Sequence, residues 1–240
     1  MSTDILDARL STVERARLAA LDTPRKIQDF LDGVVYEPEY FNRSPLRVLR
    51  EGRGHCLDGA LFAAYALSRL GDSPLVVDLV QEPGLDDDHV LAIFRRNGRL
   101  GALGKSNFTG LRYREPVYAS VRELVMSYFE DYFNVNGVRT LRGYTAPIDL
   151  HRFDRLSWLW DDAGCDAIER SFKTVRRYAL ITPQMAAELV PWMRANSPRG
   201  RSVRTPRGFS SRRLRDRIVI QIIFWTQGFS RSCSLPRKTG

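Results

Sequence analysis

The chain has 240 residues, 43% of them apolar, enough for one sizeable core. No apolar run reaches the ~18–20 residues that a membrane-spanning helix needs, and three scattered cysteines (Cys56, Cys165, Cys233) make no disulfide framework. The formal charge of +9 is concentrated at one end: residues 194–240 hold twelve Arg or Lys against one acid, Asp216, and the rest holds 25 basic and 27 acidic residues.

The body is therefore nearly neutral, and a high pI is no argument for nucleic acid there. The opening MSTDILDARL has acids and no apolar segment, so no secretory signal is expected. With so few cysteines, a reducing, cytoplasmic location is expected.

Residues 4–21 place Ile5, Leu6, Leu10, Val13 and Leu18 at helical spacing and predict an amphipathic helix. Thr23-Pro24 reads as an N-cap followed by proline at the first helical position, opening a helix to Gly33. Residues 34–41 read as loop or extended chain. Ser44-Pro45 repeats the cap-and-proline pattern for a helix to about Glu51, after which Gly52 and Gly54 break the chain.

Gly54-His55-Cys56-Leu57-Asp58-Gly59-Ala60 follows, in the form Gly-x-Cys-x-Asp-x-Ala. Leu57, Ala60, Leu61, Ala64 and Leu67 give one apolar face of a helix that Gly71 and Pro74 end. Cys56 thus falls in a first helical turn, where unpaired N–H groups and the positive end of the helix dipole favour thiolate. The plainer role for such a cysteine is a small buried residue at a helix start. Asp58, an acid in the same turn, supports the helix there.

Residues 74–80 read as a buried strand, and residues 81–88 as a polar loop ending in Asp86-Asp87-Asp88. His89 opens the next strand, and Asn97-Gly98 predicts a two-residue type I′ hairpin turn. Arg96 then faces Arg99, so paired numbers sum to 195 and His89 faces Ser106. Gly104 shares that side, and Lys105 points away. A helix is expected over about 119–133, with Tyr128, Phe129, Tyr132 and Phe133 as core aromatics. Residues 134–148 look turn-rich, and helices are expected over about 154–178 and 183–194. Residues 196–240 form a basic, Ser- and Pro-rich tail, read as disordered.

Cysteine at a helix start, then a strand, then histidine opening a strand, then a hairpin resembles the transglutaminase-like superfamily, in particular a bacterial group of uncharacterised function. Gly54, Cys56, Asp58, Ala60, Gly71, the apolar strand and His89 carry the resemblance, which covers residues 44–107 well. It implies an α+β, papain-like fold: an antiparallel sheet packed on a central Cys-bearing helix, with extra flanking helices. One domain is expected over 1–195, its core over about 44–133, followed by the tail 196–240.

The resemblance also implies cysteine-dependent acyl transfer on an amide or peptide bond, with Cys56 as nucleophile and His89 as base. The family's third member, an aspartate, falls nearest Gly104. Ser106 and Asn107 are the side chains left to orient His89. Arg112 and Arg114 are candidates to hold an anionic substrate group, and His55 to line the cleft. No spacing resembles a metal motif, and no phosphate loop or dinucleotide fingerprint is present, so neither a metal nor an organic cofactor is expected. The other reading, from a different class, is an inactive binding or scaffold domain with a protein partner; nucleic acid is expected only through the tail.

Overall fold

In the computed structural model, residues 6–37 and 41–191 are described; the expected tail lies outside them. The fold is mixed α+β with an antiparallel sheet. Helix α1 (Thr12–Ala19) starts in a capping box, Ser11 and Glu14 each accepting the other's N–H. This box interrupts the expected 4–21 helix, leaving Leu6 and Leu10 buried ahead of it. Helix α2 (Pro24–Gly33) is capped by Thr23, whose side chain accepts from the Lys26 N–H. Helix α3 (Pro45–Glu51) ends at Gly52, in the left-handed region at φ 64°. Short parallel strands β1 (Val35–Tyr36) and β2 (Arg53–Gly54) pair across it.

Helix α4 (Cys56–Arg69) is the centre of the molecule. Every residue from Leu57 to Leu67 is buried. Rather than one apolar face on a sheet, it has a sheet on one side and α2 and α3 on the other, with Phe30 of α2 stacked on Phe62 at 4.5 Å.

The main sheet contains β3 (Leu75–Gln81), β4 (His89–Arg96), β5 (Arg99–Leu103), β6 (Arg114–Tyr118), β7 (Leu141–Thr145), β8 (Ile148–Asp149) and β9 (Arg177–Ala179). Its order is β6-β5-β4-β3-β7-β9, with β8 also on β3 and every pairing antiparallel. The hairpin register is the expected one: Arg96 pairs Arg99 and Ala92 pairs Leu103, through Asn97 and Gly98 at φ 50° and 76°. Val76, Val90, Ala92, Phe94 and Leu103 face α4. Val77, Leu79, Leu91, Ile93 and Ala102 face a second core holding Tyr128 and Tyr132.

Three expected helices, over 119–133, 154–178 and 183–194, are cut short. Helix α5 spans only Val121–Met126, because Ser127 turns its hydroxyl back on the Leu124 carbonyl. The turns after it place Tyr128 and Tyr132 so that their hydroxyls donate to the Arg112 and Asp87 carbonyls. The expected 154–178 helix is instead a 3₁₀ segment (Leu150–Leu156), then helix α6 (Asp162–Ser171), then β9. Ser157 at φ 56° breaks it and Asp161 caps the restart. Helix α7 is Pro183–Ala187.

The α6 region closes back on the segment just before α3. The Ser44 N–H and the Arg47 guanidinium donate to Asp162, Asn42 donates to Asp166 and Glu169, and the Leu46 N–H donates to the Leu159 carbonyl. No helix among the described residues is long and apolar enough to cross a membrane.

Candidate active site

The Gly-x-Cys-x-Asp spacing is first a folding device. Asp58 is fully buried, and its carboxylate turns back over the helix start. Oδ2 accepts the His55 N–H at 3.0 Å and Oδ1 accepts the Arg43 N–H at 2.7 Å. The Arg43 guanidinium and the His55 ring flank it at 3.8 and 3.4 Å. Gly54 permits this approach, since a Cβ there would stand 2.9 Å from the Asp58 Cβ. His55 is itself the N-cap, Nδ1 accepting from the Leu57 N–H at 3.2 Å. His55 thus serves the helix start.

The device aims Cys56 at the start of β4. The residue is half-buried, and its sulfur lies 3.8 Å from the Asp88 carbonyl oxygen. Burial pushes the thiol up to about 12; the Val90 N–H pulls it back in part, and the Asp78 and Asp58 charges push it further up. The sulfur therefore packs on main chain from both sides of His89.

His89 is buried, 5% exposed, on the face it shares with Leu91 and Ile93. Its Nε2 lies 2.8 Å from the Leu111 carbonyl oxygen. A carbonyl only accepts, so the proton sits on Nε2 and Nδ1 keeps its lone pair. Burial drops the imidazole to about 4. Gly104 stands opposite: a Cβ there would come within 3.2 Å of both His89 Nε2 and the Leu111 oxygen. Where a side chain from Gly104 would reach the ring, a main-chain carbonyl does so instead. No hydrogen bond joins the Cys56 thiol to the His89 ring among the described residues.

The other sequence candidates are placed as follows. Ser106 is buried, and its hydroxyl accepts the Phe108 N–H at 3.0 Å, shaping a turn rather than touching His89. Strand β5 ends at Leu103, so the extrapolated Ser106–His89 pairing falls outside the ladder. Asn107 is half-buried next to it. Arg112 bonds the Ser106 carbonyl and Asp32. Arg114 is taken up by Ser127, the Gly110 carbonyl and the Tyr128 ring at 3.9 Å. Both arginines are built into the fold around the His89 loop.

Two buried ionisable residues near the site escaped the sequence reading. Lys105 is 3% exposed and donates from Nζ to the Leu31 and Val34 carbonyls at the end of α2; burial lowers it to about 8. Asp78 is also 3% exposed, has a buried Oδ1 with no partner, and is pushed up to about 7 by burial. The signal for Asp78 was present, a lone acid inside the apolar run Leu75-Val76-Val77-Asp78-Leu79-Val80. No group of three His, Cys, Asp or Glu placed to hold a metal ion occurs among the described residues. No family model matches the chain, and no curated protein matches it.

Proposed function

We propose that the chain is a transglutaminase-like domain performing cysteine-dependent acyl chemistry on an amide or peptide bond at Cys56. The observation that carries the reading is Cys56 at the first position of α4, its half-buried sulfur 3.8 Å from the main chain of Asp88, next to His89, whose Nε2–H is anchored on the Leu111 carbonyl and whose Nδ1 keeps its lone pair. In the reaction, the Cys56 sulfur attacks the carbonyl carbon and gives up its proton; His89 is the base the resemblance implies, although its ring lies on the Leu91 face of β4, opposite α4. The N–H of Cys56, at the first position of α4, steadies the oxyanion. The proton then goes to the leaving amine and a thioester remains, which water or an amine opens. Leu111 orients the ring as a carboxylate would, without the charge that stabilises imidazolium. With three cysteines and Cys56 and Cys165 both free, we place the chemistry in the cytoplasm.

The test is acylation by p-nitrophenyl acetate. One equivalent of p-nitrophenolate should be released in a burst, with acetyl mapped to Cys56 and the burst absent in Cys56→Ala. In His89→Gln the burst should slow about 100-fold. Equal bursts in wild type and His89→Gln would exclude the pair.

One observation favours an inert binding domain instead: burial keeps the thiol and the imidazole both neutral at rest, and no hydrogen bond joins them. That reading gains if Cys56 is not acylated at all.

A further inference from the structure

Asp78 has no role in the chemistry above. It lies mid-strand in β3, paired with Val90 and two residues from Val76. Both of those pack in the core around α4, so Asp78 turns to the face that α4 covers, and the Cys56 sulfur at the head of α4 lies against the main chain just ahead of Val90. Its N–H is satisfied by the Thr145 hydroxyl, but its Oδ1, shut away from solvent, meets no donor. A buried carboxylate oxygen without a partner is a costly arrangement that calls for an explanation. Behind burial, the Asp78 and Asp58 charges both push the Cys56 thiol up.

We propose that Asp78 belongs to the Cys56 site, its buried carboxylate opposing ionisation of the thiol. The inference uses the same sulfur as the acyl-transfer reading but does not depend on His89.

The other charged and titratable groups around this pair do not neutralise it. From α4 come Asp58 and the His55 ring; from the loop before β4 come Asp86, Asp87 and Asp88. Tyr36 of β1 and Tyr132 are both held protonated, their hydroxyls raised by burial. His89 opens β4 as a neutral ring. Arg177 of β9 is the cation that acts on Asp78, its effect smaller than those of burial and Asp88. A charge on Asp78 and a thiolate on Cys56 therefore oppose each other.

The experiment is the pH profile of Cys56 alkylation with two reagents of equal size class, neutral iodoacetamide and anionic iodoacetate. In Asp78→Asn, iodoacetamide should react about tenfold faster at pH 8, as the thiol gives up its proton more readily. The iodoacetate-to-iodoacetamide rate ratio should rise as well, since the charge that repelled the anion is gone. A variant that has merely loosened would speed both reagents alike, leaving the ratio unchanged, and that result overturns the proposal, as does an unchanged rate. Asp88→Asn, at an exposed position, should change the ratio less than Asp78→Asn does. If His89→Gln abolishes none of this while failing to slow acylation, the acyl-transfer reading falls and the Asp78 coupling stands.

Discussion

Replacing His89 by Gln tests the buried, neutral imidazole directly. Gln keeps a side-chain N–H for the Leu111 carbonyl but does not titrate. In the wild type the ring is lowered from 6.5 to about 4. Between those pH values the unfolded chain binds a proton that the folded chain refuses. Stability contributed by the neutral ring is thus present above pH 6.5 and lost as pH falls toward 4. At about 1.4 kcal/mol per pH unit, the interval sets a ceiling of about 3 kcal/mol. Asp78 titrates in the opposite sense over part of the same range, but it is common to both proteins and cancels in the difference. The assay is urea unfolding at pH 7.0, 6.0, 5.0 and 4.5, comparing wild type with His89→Gln. The wild type should lose about 2–3 kcal/mol relative to the variant between pH 7 and 4.5. A stability difference that stays constant across that range would refute the buried, neutral His89 on which the site geometry rests.

Asp58→Ala removes the acceptor of two main-chain N–H groups and a buried partner of Arg43, and should cost about 3–5 kcal/mol in urea unfolding. Its amide exchange should rise first at His55 and Arg43. Lys105→Met strips the donor from the Leu31 and Val34 carbonyls and should cost about 1–3 kcal/mol. Because burial lowers Lys105 to about 8 against 10.5 in the unfolded chain, the gap between wild type and Lys105→Met should widen as pH rises from 8 to 10.5. A gap that narrows instead would contradict the buried ammonium.

Much of the site's frame was legible because local chemistry and tertiary structure agree there. Asn97-Gly98 fixed the hairpin register, and Thr23-Pro24 and Ser44-Pro45 marked helix starts. Strands β7 and β9 were hidden. Arg142, Gly143 and Arg177 give them no alternation, and they form because β3 offers an open edge. Strand β6 carries Pro116, which only an edge strand accepts. The partner of His89 could not be read at all. It is a main-chain carbonyl, which every residue has, brought into place by the loop after β5. A side-chain search of Ser106 and Asn107 was bound to pass over it.

The clamp between α6 and the segment 42–47 has a consequence for the order in which the protein is made. Asp58 is held from one side by the Arg43 N–H, and the residues around Arg43 are held by Asp162, Asp166 and Glu169. Those acids leave the ribosome more than a hundred residues after Cys56, on the order of ten seconds later at ordinary synthesis rates. Through that interval the growing chain carries its thiol without the clamp that finishes the helix start. The nascent protein is then more open to oxidants and electrophiles at Cys56 than the finished one. A ribosome stalled between β5 and α6 would hold the cysteine in that unguarded state.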